Sequence, residues 1–246
     1  MTDTPVMQQQ RAHRSVRQYT GEPIAESLLE EIVRAGQAAA SSSFIQAYSV
    51  VRVTRTEARR AIAAAAGGQA WIEQAAEFLV FCADLRRLDA ACRHAGAGPL
   101  EGYAEHSLAA VVDVALLAQN VLLAAESAGL GGVYIGGIRN APQVVVAQLA
   151  LPDLVLPVFG MCLGWPAAAP EVKPRLPLQL ILHQDRYRDP DEAQLAAYDA
   201  EMAEYYRTRS SNTKLSDWRS AAANALQGKK REHMLDFLRQ RGFFRR

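Results

Sequence analysis

Apolar and polar residues follow two different periods along the chain, and the changes of period mark out its elements. Over residues 23–40, Ile24, Leu28, Ile32 and Ala35 recur at helical spacing behind a first-turn proline, with Glu26, Glu30 and Glu31 near the start. A helix is expected there, ending in Ser41-Ser42-Ser43. Residues 47–54 and 78–83 are short β-branched or aromatic runs of strand length. Between them an alanine-rich helical stretch stops at Gly67-Gly68. The longest helix is expected over 103–127, where Asp113 is the only charge between Leu108 and Ala125. A helix apolar nearly all round must be buried on most faces. Asp113, Gln119 and Asn120 interrupt the run, which argues for a globular core or a subunit interface rather than a membrane span, and a homodimer is expected. Gly129 closes this helix, and 130–135 and 155–163 follow as strands. A proline-rich crossing at 166–177 leads into amphipathic helices with few strand candidates. The pattern predicts a single α+β domain with a tail that needs another surface.

Length and composition leave this picture intact. The chain has 246 residues, 50% of them apolar, enough for a large core without staples. A net charge of +1 makes any anion recognition local. The run of basic residues Lys229, Lys230, Arg231, Arg239, Arg241, Arg245 and Arg246 is the exception, but no zinc-finger or RNA-binding signature accompanies it. Cys82, Cys92 and Cys162 are odd in number and form no Cys-x-x-Cys pair, and two lie in apolar runs, as free thiols do in a reducing compartment. The first ten residues lack the basic start and apolar stretch of a signal peptide, so a cytoplasmic protein is expected.

Three motifs carry candidate chemistry. His13-Arg14-Ser15-Val16-Arg17 packs two guanidiniums, an imidazole and a hydroxyl into five positions, a composition suited to phosphate or to a solvated surface. Gly131-Gly132-Val133-Tyr134-Ile135-Gly136-Gly137 sets glycine pairs around a strand-like core, as for close approach of a planar ligand or for a bulge or tight turn. It matches neither a Walker loop nor a dinucleotide fingerprint. Lys173-Pro174-Arg175 places two cations on one side of an extended segment, facing an electron-rich ring, a phosphate or solvent. The five histidines show no metal-ligand spacing and no Gly-x-Ser-x-Gly elbow occurs. Glu101 and Glu105, at i and i+4 of an expected helix, suit a solvated face better than a carboxylate pair. The chemistry is therefore expected to belong to a cofactor, with no side chain as catalyst.

Taken in order with Ser41-Ser42-Ser43-Phe44-Ile45-Gln46 and Gly67-Gly68-Gln69, these motifs give a chain that resembles the oxygen-insensitive, NADPH-dependent nitroreductases of the major, group A type, within the FMN-dependent nitroreductase and flavin reductase family. The resemblance runs from His13 to near the C-terminus. It implies an α+β FMN-binding fold distinct from Rossmann and flavodoxin types, with a central, mostly antiparallel sheet flanked by helices. It further implies one domain over 1–246, with residues 1–12 as a leader and about 178–246 as a helical arm wrapping the partner of a homodimer, FMN lying at the interface.

By the same resemblance, His13, Ser15 and Arg17, with Arg14 among them, hold the FMN phosphate and ribityl side, assisted by Ser41 and Gln69. Tyr134, Ile135, Gly136 and Gly137 line the isoalloxazine, and Lys173 and Arg175 hold its other end. Ser43 and Phe44 wall the substrate pocket and Arg231 closes it. Arg209 and Lys214 take the NADPH 2′-phosphate. Lys214 stands where arginine is usual; it keeps the charge but loses the bidentate fork, so preference over NADH is expected to weaken. The implied activity is ping-pong transfer of electron pairs from NADPH to nitroaromatic compounds and quinones, with no metal, nucleic acid or membrane involved. The alternatives are a flavin reductase, or a chromate, quinone or azo reductase, with nitro reduction incidental. A more remote one is a non-catalytic, basic-tailed binding protein.

Overall fold

The computed structural model describes residues 3–228 and 230–246. In chain order the elements are α1 (Pro5–Arg11), α2 (Glu26–Gln37), β1 (Tyr48–Arg52), α3 (Thr56–Ala65), α4 (Trp71–Gln74), β2 (Glu77–Asp84), α5 (Arg86–His94), α6 (Ala104–Ser127), β3 (Gly131–Ile135), α7 (Pro142–Leu149), β4 (Val155–Gly164), α8 (Glu192–Thr208), α9 (Trp218–Gly228) and α10 (Met234–Gln240). They form two units, one of residues up to Ala168 together with Arg231–Arg246, the other of Ala169–Lys230.

In the first unit the strands make one sheet of order β1-β2-β4-β3, antiparallel at every pairing. All of β2 is buried, and its side chains alternate between two cores. Leu79, Phe81 and Ala83 join Leu29, Leu117 and Met161 on the face covered by α2 and α6. Phe78, Val80 and Cys82 join Ile62, Ile138 and Val145 on the face covered by α3 and α7. A strand covered on both faces has no polar side, which is why its sequence is a continuous apolar run. Arg52 ties the sheet edge to α2 by bonding Glu77 and Glu26.

The helix of residues 23–40 is shorter than its pattern, because Pro23 and Ile24 lie outside it and Ala25 is extended at ψ 137°. Ile24 is nonetheless buried, so the apolar period continues past the helix end. Helices α1 and α5 were not signalled by the pattern, and neither fully buries a side chain. The expected ends at Gly67 and Gly129 are both present, at φ +91° and +87°. Beyond each, the next amide reaches back five residues, from Gly68 to Ala63 and from Leu130 to Ala125.

Helix α6 is long and apolar enough to cross a membrane by length and composition, but it packs against α2 and the sheet. Gly36 of α2 permits this close approach, since a Cβ there would lie 2.3 Å from Val121 Cγ2. One stripe of α6, carrying Leu108, Val112 and Leu116, stays exposed, the first two at 53%. Glu101 precedes α6 and pairs with Arg246, so it shares no helical face with Glu105. The glutamate pair of the sequence does not exist.

The second unit holds the hairpin of α8 and α9. Asp191 caps α8 by accepting a bond from Gln194 N at 3.0 Å. Tyr198, Met202 and Tyr206 form its small core.

Candidate functional site

The basic segment at 13–17 lies beside the glycine motif. Ser15 bridges Gly132 in parallel register, and the Val16 amide donates to Gly132 O at 3.0 Å. Gly131 must lack a side chain for this contact, because a Cβ there would meet Val16 Cγ2 at 2.5 Å. The Tyr19 hydroxyl donates to Val16 O at 2.8 Å and pins the segment from the other end. His13 Nδ1 is 2.6 Å from Glu126 Oε1 on the last turn of α6, a contact that orients the imidazole. Arg14 Nε donates to Ala12 O. Arg17 is exposed, its guanidinium 5.8 Å from the Trp71 ring centroid, and it makes no ion pair among the described residues. The Trp71 Nε1 beside it is buried with no hydrogen-bond partner.

At the far end of the glycine motif, β3 runs into a tight 3-10 segment, Gly136–Asn140. Gln69 lies against Gly137, where a Cβ would meet Gln69 Nε2 at 2.3 Å and Ala66 O at 2.5 Å. Tyr134 packs edge-on to Phe159 at 5.0 Å. Burial, reinforced by the Glu126 charge, pushes its hydroxyl well above the usual phenol range. Ile135 is buried beneath the turn. Arg231, itself left-handed at φ +45°, donates to Asn140 Oδ1 at 3.0 Å and Gly136 O at 3.3 Å. One unit thus gathers His13, Ser15, Arg17, Gln69, the turn at Tyr134–Gly137 and Arg231, although the chain spreads them over more than two hundred positions.

The 41–47 segment is tied to α6. Asp113, fully buried, accepts bonds from Ser42 N at 2.8 Å and Ala47 N at 3.1 Å. Ser41 Oγ accepts from Gln46 N at 2.8 Å, while Ser43 and Phe44 face solvent, Phe44 at 80% exposure.

In the second unit Lys173, Arg209 and Lys214 surround one aromatic ring. Their cationic groups lie 5.3, 5.0 and 4.0 Å from the Tyr206 centroid. Three like charges around one ring repel, so this arrangement favours an anion. Arg209 Nε is buried without a partner. Glu171 fastens the loop by accepting from Ser210 N at 2.8 Å and Ser210 Oγ at 3.1 Å. Its own backbone amide first, then the Ser210 amide, hold its carboxyl below the usual range. Arg175 is exposed, and Pro174 O accepts from the Tyr198 hydroxyl at 3.0 Å, in a segment without regular secondary structure.

Several residues of these sites carry little sequence signal. Trp71, Glu126, Asn140 and Tyr206 are ordinary in composition and position. Asp113 does carry a signal, a lone charge in an apolar helix, but one that does not name its partners. Three members of the basic C-terminal run are engaged: Arg231 with Asn140, Arg241 with Asp153 and backbone carbonyls around Leu151, and Arg246 with Glu101. Lys229 lies outside the described residues.

No group of three or more His, Cys, Asp or Glu suited to a metal occurs among the described residues. An antiparallel α+β core with a phosphate-suited segment on a glycine turn defines a class of cofactor-binding fold that is neither Rossmann nor flavodoxin in topology. Comparison with known proteins makes this specific. Residues 11–165 match the model of the nitroreductase family, and residues 173–246 match that of its C-terminal domain. The chain is 45% identical over 240 residues to an oxygen-insensitive NADPH nitroreductase of Salmonella typhimurium, covering 98% of each. It is 46% identical over 237 residues to an NADPH-flavin oxidoreductase of Vibrio harveyi, covering 96% of each. The crystal structure of nitroreductase A from Vibrio parahaemolyticus superposes with a TM-score of 0.90 at 43% identity, over 100% of both chains. The chain belongs to the nitroreductase family.

Proposed function

We propose that this protein is an FMN-dependent oxidoreductase that moves electrons in pairs from NADPH to nitroaromatic compounds and quinones. The observation that carries the reading is the junction at Gly132, where the basic segment and the glycine turn become neighbours. The donor set suits FMN: Arg17 is uncommitted to a carboxylate, Trp71 Nε1 is unpartnered, and the Gly137 position tolerates no side chain. His13, Arg14, Ser15 and Arg17 would hold the phosphate and ribityl side, with Ser41 and Gln69 assisting. Tyr134, Ile135, Gly136 and Gly137 would line the ring, and Lys173 and Arg175 would supply positive charge at its other end.

When bound, FMN supplies two-electron hydride chemistry in a ping-pong cycle, oxidising NADPH and then reducing an acceptor. The chain's own contribution is orientation, exclusion of water and positive charge, with no side-chain acid required. Each NADPH with a proton converts a nitro group to a nitroso group and water, and a second pair yields the hydroxylamine. Ser43 and Phe44 would wall the pocket and Arg231, latched to Asn140, would close it. Arg209 and Lys214, on one ring and with the Arg209 Nε buried and unpartnered, would take the 2′-phosphate of NADPH. A second reading, reduction of free flavin, draws on the Vibrio harveyi relative.

We further infer that 1–246 works as one functional domain in a cytoplasmic homodimer, with residues 1–12 as leader; of the expected 178–246 arm only 178–230 is free to wrap the partner, because residues 231–246 pack Phe237 and Phe243 into the first unit's own core. The exposed α6 stripe supports this, as do exposed Leu178, Ile181, Leu182 and Tyr187 in the arm. Three free cysteines fit a reducing compartment. The visible spectrum of the purified protein tests the central reading. Flavin bands that bleach with NADPH and return with a nitroaromatic acceptor are expected. A colourless protein that binds no added FMN overturns it.

A further inference from the structure

We propose that Asp113 is the positioning residue of the acceptor pocket: its buried carboxylate holds the 41–47 segment in the strained conformation that presents Phe44. The proposal rests on the reading of Ser43 and Phe44 as the pocket wall. Asp113 is 0% exposed, and no lysine, arginine or histidine pairs with it among the described residues. Its two oxygens divide the work, Oδ1 accepting from Ser42 N and Oδ2 from Ala47 N. A buried carboxylate without a counter-ion is costly, and in a helix as apolar as α6 a leucine would pack at less cost. The charge is retained where an apolar side chain could make neither bond.

What those bonds enclose explains the need. Between the two donor amides, Ser43, Phe44 and Gln46 have φ of +46°, +58° and +50°, the left-handed region that side chains other than glycine disfavour. Strain of this kind persists only when surrounding groups over-determine it. Asp113 clamps the segment at both ends, and Ser41 Oγ adds a third bond through Gln46 N. Phe44 is thus carried on a rigid, exposed loop with its root in the core. An aspartate is required because both oxygens must accept; asparagine offers one acceptor and would point an N–H₂ at the other amide.

The test uses the FMN-loaded protein and four forms: wild type, Asp113→Asn, Phe44→Ala and the double variant. Hydrogen exchange and the steady-state constants for a nitroaromatic acceptor are measured. In Asp113→Asn, exchange at 41–47 is expected to quicken at least about tenfold relative to α6. kcat/KM for the acceptor is expected to fall about tenfold or more. Most of that fall is expected in KM, with kcat and flavin content held. In the Phe44→Ala background the same substitution is expected to cost less than about twofold, because the residue acts through Phe44. Unchanged exchange, or single effects that multiply fully in the double variant, overturns the proposal. Should Asp113→Asn fail to fold, Ser42→Pro takes its place. It deletes one donor while keeping the carboxylate, and Ser41, at φ −140° and ψ 145°, already has the extended geometry a following proline demands. If wild type proves to hold no flavin, the functional reading fails while the exchange comparison still decides the role of Asp113.

Discussion

Arg17→Ala separates phosphate binding from folding with unusual clarity. In the protein itself Arg17 does little. It is exposed, it bonds Ser15 O at 3.4 Å, the long end of the hydrogen-bond range, and its guanidinium sits 5.8 Å from the Trp71 centroid. An exposed cation–π contact contributes about 0.5–1 kcal/mol, so the melting temperature should fall by no more than about 2–4 °C. A charge-assisted bond to the FMN phosphate contributes about 1.5–3 kcal/mol, and its loss weakens binding by about one to two decades. Titrating flavin-stripped protein while following FMN fluorescence measures the constant, and riboflavin, which has no phosphate, serves as the internal control. FMN affinity should fall about ten- to a hundredfold while riboflavin affinity changes little. Equal weakening of both ligands, or of neither, would refute the assignment of Arg17 to the phosphate.

Arg209→Ala should raise KM for NADPH far more than for NADH, since only the former carries a 2′-phosphate; equal effects on both would remove Arg209 from that site. Lys214→Arg restores the bidentate fork and should widen the NADPH preference, measured as the ratio of kcat/KM values. Gly137→Ala places a methyl group within 2.5 Å of Ala66 O, a backbone atom that cannot swing aside, so FMN retention during gel filtration should drop; full retention would mean the turn is free to move. Burial raises Cys82 and Cys162 from 9.0 to about 12, leaving Cys92 the one thiol expected to react with a disulfide reagent at pH 8 in the native state. Because the folded state holds these protons more tightly than the unfolded chain, the two thiols' contribution to stability is complete below pH 9 and should be lost as pH rises from 9 toward 12. A denaturation midpoint that stays flat over that window would contradict the assignment.

The second unit divides its charges between structure and ligand. Arg219 bonds Asp199 and Glu192 and joins the two helices, whereas Lys173, Arg209 and Lys214 make no ion pair among the described residues. Three cations around one ring, with Glu171 the carboxylate that feels Arg209, make a local positive field in a chain of net charge +1 and supply the anion preference that overall composition lacks.

Elements whose periodicity is produced by burial can be read directly from the order of residues. Four strands, the long helix and the glycine helix ends were legible because each depends on residues close together in the chain. So were the basic pentad and the glycine turn as motifs, and their order was enough to suggest the family. Their adjacency was decided only by the tertiary structure, because the pairing of Ser15 with Gly132 spans over a hundred residues and no local preference encodes it. The same holds for Glu126 beneath His13 and for Arg231 on Asn140. Helix α1 escaped the pattern because it buries no side chain fully, so no strict apolar period is imposed on it. Asp113 was visible as an anomaly, but its partners are backbone amides, which every residue carries and no sequence distinguishes. Only the fold, by bringing an apolar helix under a strained loop, turns that lone charge into a clamp.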